Sequence, residues 1–245
     1  MDPTIIFGML IFFLGGATIG LTGFGFALVA VPLLSLLLSP KIVVPIVVVL
    51  DLFILVWLTY RNRKFIEFKR VLPILIAGVI GLPIGTYALI SLNTDILRIL
   101  VGAIIALFAI ALLIGFEKKV KHELRALLPL GIISGMLAGS VKMPGPPIIL
   151  FLENQHTDKR HFRADLISYF TLLSIFTIPM FFIGGLITKE VITYASYFLI
   201  PMILGTFLGI KFVNKFNEEL FRKVVLVLVT IVGILAIITG LGTYF

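Results

Sequence analysis

The chain has 245 residues, of which 60% are hydrophobic and 13% charged, with a mean hydropathy of +1.20 and a formal net charge of +8. These proportions exclude a soluble globular domain, and the lack of cysteine excludes a disulfide framework, thiolate metal sites and cysteine-relay chemistry. The basic residues sit in short loops between apolar runs, so orientation in a membrane accounts for the positive charge and nucleic-acid binding does not.

A helix needs about 20 apolar residues to cross roughly 30 Å of hydrocarbon, and several windows of this chain qualify. The runs are too long and even for barrel strands, so an all-α polytopic membrane protein is predicted. Met1 and Asp2 bring no basic region ahead of the first run, and no cleavable leader is expected. Residues 3–38 form one apolar stretch interrupted by glycines at 15, 16, 20, 23 and 25. It reads as a helix to about Gly20, an unwound Leu21 to Gly25 and a shorter helix to about Leu38. Spans follow at 41–60, 71–91 and 96–115, with a loop at 61–70 that carries five basic residues and one acid. The loop at 117–125 carries four basic residues and two acids.

The stretch 126–152 breaks the pattern again. Pro144, Pro146 and Pro147 each remove a backbone N–H, and Gly139 and Gly145 permit backbone angles that other residues resist. The incoming helix is expected to stop near Gly139 and a new one to start at Pro146, with Lys142 beside its N-terminus. A polar loop at 153–165, spans at 166–187 and 191–212, a basic loop at 211–223 and a last span at 223–242 complete the chain.

Cytoplasmic loops carry the excess of Lys and Arg, which places 61–70, 117–125, 153–165 and 211–223 inside and 91–95 and 188–190 outside. Both broken stretches then begin and end on one side, and both termini face outward from the cell membrane. The result is two inverted repeats, residues 1–116 and 117–245, each a glycine- or proline-broken hairpin followed by three transmembrane helices. Gly16 and Gly20 match Gly135 and Gly139 at a separation of 119, and Gly85, Asn93, Asp95 and Arg98 match Gly209, Asn217, Glu219 and Arg222 at 124. Inverted repeats place the substrate at the midplane, where two broken segments meet, and work by alternating access.

Mid-span charge costs about 2.5–3.5 kcal/mol even on lenient insertion scales. Asp51 and Lys142 both incur that cost. As a functional pair, Lys142 offsets an anionic substrate while Asp51 titrates or holds a cation for coupling; as a structural pair, the two only hold helices together. The anion is expected between Leu21–Gly25 and Ser140–Pro147, where helix N-termini and freed N–H groups replace its water. The candidate binding residues are Thr22, Gly23, Gly25, Ser140, Lys142, Gly145 and Pro146, with Asn154 and Gln155 as polar gate residues and Asp51 for coupling. His156 and His161 read as solvated loop residues and not as a metal site. Arg98 and Arg222 read as snorkelling side chains, and Trp57 and Tyr60 as an interfacial anchor. No phosphate loop, HExxH, nucleophile elbow or paired-carboxylate motif is present, so an enzyme is not expected, nor a cofactor or metal. A secondary anion transporter, an anion channel and a non-transporting scaffold subunit remain as readings.

With both broken segments in view, the chain resembles the TauE/SafE-like family of sulfite and organosulfonate permeases. The resemblance rests on GATIGLTGFGFALVAVPLL (16–34) and GMLAGSVKMPGPPIILFL (135–152), with KRHFRAD (159–165) similar to the loop after the family's second hairpin. It implies secondary transport of a small sulfur-containing anion, such as sulfite, sulfoacetate or taurine, inward or outward. A proton or sodium ion is the expected coupling partner, and the expected state is a monomer or homodimer in the lipid bilayer. Lys142 and Pro144 interrupt what is usually a run of glycines in the family, which makes substrate identity the least transferable property.

Overall fold

The computed structural model describes residues 3–114, 123–154 and 159–212. In hydrocarbon every backbone polar group must be satisfied internally, and this chain does so with helices: nine α-helices and one 3₁₀ turn lie among the described residues, and no strand. They are α1 (Pro3–Thr22), α2 (Phe26–Ser35), α3 (Pro40–Asn62, followed by the turn Arg63–Phe65), α4 (Phe68–Ser91), α5 (Thr94–Ile114), α6 (Glu123–Val141), α7 (Gly145–Asn154), α8 (Lys159–Ile183) and α9 (Lys189–Phe212). Among the described residues five stretches, namely α1, α3 with its turn, α4, α8 and α9, are long and apolar enough to cross a membrane. The predicted span 223–242, the matches at Asn217, Glu219 and Arg222, the basic loop beyond Phe212, most of the loop at 117–125, His156 and both termini lie outside the described residues.

Several boundaries differ from those expected. α1 runs through Gly20 and Leu21 to Thr22, and α6 runs through Gly139 to Val141. Glycine at these helical positions lets neighbouring backbones close in: a Cβ at Gly20 would collide with the Thr206 carbonyl, and one at Gly139 would meet the Leu82 carbonyl. Helix α2 ends at Ser35, and the chain then turns until Ser39, held extended ahead of Pro40 at φ −63°, ψ 138°, caps α3 by accepting from the Lys41 N–H at 3.3 Å. Helix α7 starts one residue before Pro146, at Gly145. The stretch 159–165 is not loop but the first turns of α8. Asp165 there is buried, accepts from the Glu67 N–H at 2.7 Å and pairs with Arg70 at 3.4 Å, which fixes this stretch against the start of α4.

Two interfaces organise the bundle. α1 packs along α9, and α4 along α6, in each case in parallel and through small residues that let backbones touch. A Cβ on Gly16 would collide with the Met202 carbonyl and one on Gly135 with the Gly78 carbonyl. Gly205 and Gly209 face the Phe13 and Ala17 carbonyls, just as Gly81 and Gly85 face those of Ile132 and Met136. In these contacts the α1 and α6 residues lie 119 positions apart in sequence and the α4 and α9 residues 124. The buried apolar side chains form two cores: one mainly from α1, α2, α3, α5 and α9, the other mainly from α4, α6, α7 and α8. Helices α3 and α8 lie side by side between them and share a hydrogen bond of 2.7 Å from Thr59 to Thr171.

Candidate functional site

Each broken stretch turns on residues of positive φ. Gly23 (+85°) and Gly25 (+91°) supply it in the first at no steric cost. In the second, the corresponding turn is made by Lys142 (+56°), among the described residues the one non-glycine residue of positive φ. A long side chain in left-handed backbone costs about 1–2 kcal/mol and persists only where its surroundings over-determine it. Here they do. The Met143 N–H reaches back to the Leu137 carbonyl at 3.2 Å, Ser134 Oγ donates to the Pro144 carbonyl at 2.6 Å, and Tyr169 Oη donates to Ser134 Oγ at 2.8 Å. The lysine head is held as well: Nζ donates to Ser174 Oγ at 2.6 Å and lies 3.2 Å from Asp51 Oδ2.

The two breaks and this ion pair border one cavity, partly open and with about 40 Å³ of space that a water-sized molecule can occupy. Phe24, Gly25 and the first residues of α2 line one side, Met143 to Pro146 the other, and Asp51, Lys142 and Phe170 complete the wall. The side chains of Lys142 and Asp51 are 4% and 7% exposed, so their attraction acts in a low dielectric while neither can be left alone there. Asp51 Oδ1 is buried and has no hydrogen-bond partner. The amides of the first turn of α2, at Phe26, Ala27 and Leu28, lack intrahelical acceptors and border the cavity. Helix α7 offers fewer, because Pro146 and Pro147 have no N–H.

Of the residues expected to bind, Gly25, Asp51, Lys142, Gly145 and Pro146 line this cavity. Thr22, Gly23 and Ser140 do not line it, and their local bonding explains why. The Thr22 hydroxyl accepts from the Phe24 N–H at 3.2 Å and has the carbonyls of Thr18 and Phe24 at 2.9 and 2.5 Å for its single proton. Ser140 donates back into its own helix, to the Met136 carbonyl at 2.7 Å. Gly23 lies beneath the Arg163 side chain. Asn154 closes α7, and Gln155 lies outside the described residues.

Three further residues shape the site without having been singled out for it. Ser174 and Tyr169 stand on α8 and hold the two ends of the second break; a mid-span serine and tyrosine are the signal, but nothing in the sequence says what they face. Arg163 donates to the Gly20 and Leu21 carbonyls at 3.2 and 3.4 Å and so closes the C-terminus of α1, where a cation also complements the helix dipole. Arg98 is no free snorkelling side chain: it donates through Nε to the Ser35 carbonyl at the end of α2, at 3.0 Å. Trp57 and Tyr60 are exposed near the end of α3, with the guanidiniums of Arg61 and Arg63 over their rings at 5.5 and 4.0 Å.

Among known protein families, residues 8–236 match the profile of the one described as sulfite exporter TauE/SafE. No curated protein and no solved structure matches the chain.

Proposed function

The chain belongs to the sulfite exporter TauE/SafE family, a family of membrane transporters, and from that premise we propose that it is a secondary transporter of small sulfur-containing anions, sulfite or organosulfonates. The anion sits in the cavity between the two breaks, with Lys142 as its counter-charge, the α2 amides as hydrogen-bond donors, and Asp51 as the coupling group. One observation carries this reading: a buried lysine–aspartate pair lines a cavity at the point where two interrupted helices restart. A charge buried in a membrane span is costly and is kept where substrate or ion pathways need it.

In the same proposal, residues 1–116 and 117–245 are two inverted repeats that rock about the site in alternating access. The residue-by-residue correspondence of the α1–α9 and α4–α6 interfaces supports it, as does their parallel packing, which agrees with the directions derived from loop charge. Both termini then face out of the cell.

Flux into proteoliposomes tests the proposal, with sulfite, sulfoacetate, taurine, sulfate and thiosulfate offered under imposed proton or sodium gradients. Saturable, gradient-dependent flux of the sulfur anions is expected. Unitary currents without a coupling ion would identify a channel, and no flux at all would leave a scaffold subunit.

A further inference from the structure

The pair at the site has a property that bears on coupling. Among the described residues the cavity lining holds one ammonium, Lys142, and one carboxylate, Asp51, and no other ionisable side chain. The helices around Asp51 add none nearby: α1 and α2 contain no titratable residue, and α3 carries its own at Lys41, Tyr60 and Arg61, near its ends. Asp95 and Arg98 stand in the first two turns of α5, and Lys189, Glu190 and Lys211 at the ends of α9; Tyr194 and Tyr197 of α9 are not in the cavity lining. On α8, Lys159, Arg160, His161, Arg163 and Asp165 occupy the first two turns, and Tyr169 is engaged with Ser134. The pair is therefore neutral as a unit. Lys142 spends its charge on Asp51 Oδ2 and a hydrogen bond on Ser174, while Asp51 Oδ1 is left without a partner.

Resting on the transport reading above, we propose that the Lys142–Asp51 pair enforces charge neutrality on its cargo: a monoanionic sulfonate displaces Asp51 from Lys142 and brings one proton onto the carboxylate, whereas a zwitterionic aminosulfonate brings its own ammonium to Asp51 and needs no proton. The exchange balances. The monoanion arrives with charge −1 and the proton with +1; the proton comes from hydronium or buffer acid in the bulk solution, forms an O–H bond on the Asp51 carboxylate, and returns to solution on the side where the cargo is released. The zwitterion arrives neutral, and the two ion pairs swap partners. A monoanion bound without a proton would leave a carboxylate uncompensated in low dielectric, the arrangement that buried ion pairs tolerate least. Asp51 Oδ1 is the atom free to receive the proton or the ammonium. The coupling ratio is then set by the cargo and not by the protein alone.

Calorimetric titration of the purified full-length chain tests this, with ethanesulfonate and taurine as probes in buffers of different ionisation enthalpy. Ethanesulfonate keeps a single negative charge near neutral pH, and taurine is a zwitterion there. The expected result is uptake of about one proton per ethanesulfonate and about none per taurine, with ethanesulfonate affinity weakening by up to about tenfold per pH unit as pH rises and taurine affinity flat. In Asp51→Asn the proton uptake with ethanesulfonate disappears and taurine loses affinity about tenfold or more. Equal proton uptake for both probes, or ethanesulfonate binding with no proton or with sodium in its place, overturns the neutrality rule while leaving sulfonate binding intact. Binding of neither probe overturns the organosulfonate reading, and the rule with it.

Discussion

Lys142 stands in the second broken stretch where Gly23 stands in the first: each directly follows the last helical residue, each has positive φ, +56° and +85°, and the two are 119 residues apart. A lysine occupies a position that backbone geometry reserves for glycine, and its side chain reaches Asp51.

This opposition of backbone and side chain predicts the outcome of Lys142→Gly. Glycine relieves about 1–2 kcal/mol of left-handed strain. It also strands Asp51, and breaking a buried pair from one side costs about 3–5 kcal/mol. The single variant is therefore expected to unfold at lower temperature than the parent in detergent, and adding Asp51→Asn to recover most of the loss. Losses that simply add in the double variant would show that the two residues are not coupled.

Gly23 and Gly185 separate the cost of backbone from the cost of contact. Both have positive φ, but nothing lies within 4 Å of a Cβ at Gly185, whereas one at Gly23 would run into Arg163. Gly185→Ala is expected to lose about 1 kcal/mol. Gly23→Ala should lose more, since it also disturbs the Arg163 hydrogen bonds at the end of α1, worth about 1.5–3 kcal/mol for a charged donor. Thermal unfolding of the two variants side by side measures the difference, and equal losses would remove the capping role of Arg163.

Gly16 and Gly135 test whether the two interfaces are equivalent in energy as well as position. An alanine at either would collide with a backbone carbonyl, of Met202 or of Gly78, and backbone cannot yield as a side chain can. Overpacking of this kind costs about 1–3 kcal/mol. Gly16→Ala and Gly135→Ala should lose similar amounts of stability. A large loss from one and none from the other would argue against the repeat.

Topology is open to chemical labelling because the chain has no cysteine of its own. Lys64 is exposed in the turn after α3. In Lys64→Cys, an impermeant maleimide is expected to react only after the cells are opened. Labelling from outside intact cells would reverse the proposed orientation.

The places where helices break were legible in the sequence because glycine and proline act locally: Gly23, Gly25 and the Pro144–Pro147 cluster turn the chain through their own backbone restrictions. Asp51 and Lys142 were legible for a related reason, since a charge within an apolar run is costly whatever surrounds it. The pairs α1–α9 and α4–α6 pack in parallel; their direction across the membrane, which loop charge implies, belongs to the proposal. Only the tertiary structure decided the rest. It joined Lys142 to Asp51, two of the readings for which had stayed open, and supplied Ser174 from α8 as a third partner. It drew Thr22 and Ser140 back into local hydrogen bonds, because a hydroxyl in an apolar setting takes the nearest carbonyl. It also wound 159–165 into α8, through the contact of Asp165 with Glu67 and Arg70, residues nearly 100 positions away. And it paired α1 with α9 and α4 with α6, helices from opposite halves of the chain, since close backbone packing between small-residue faces depends on which faces meet and not on their order along the sequence.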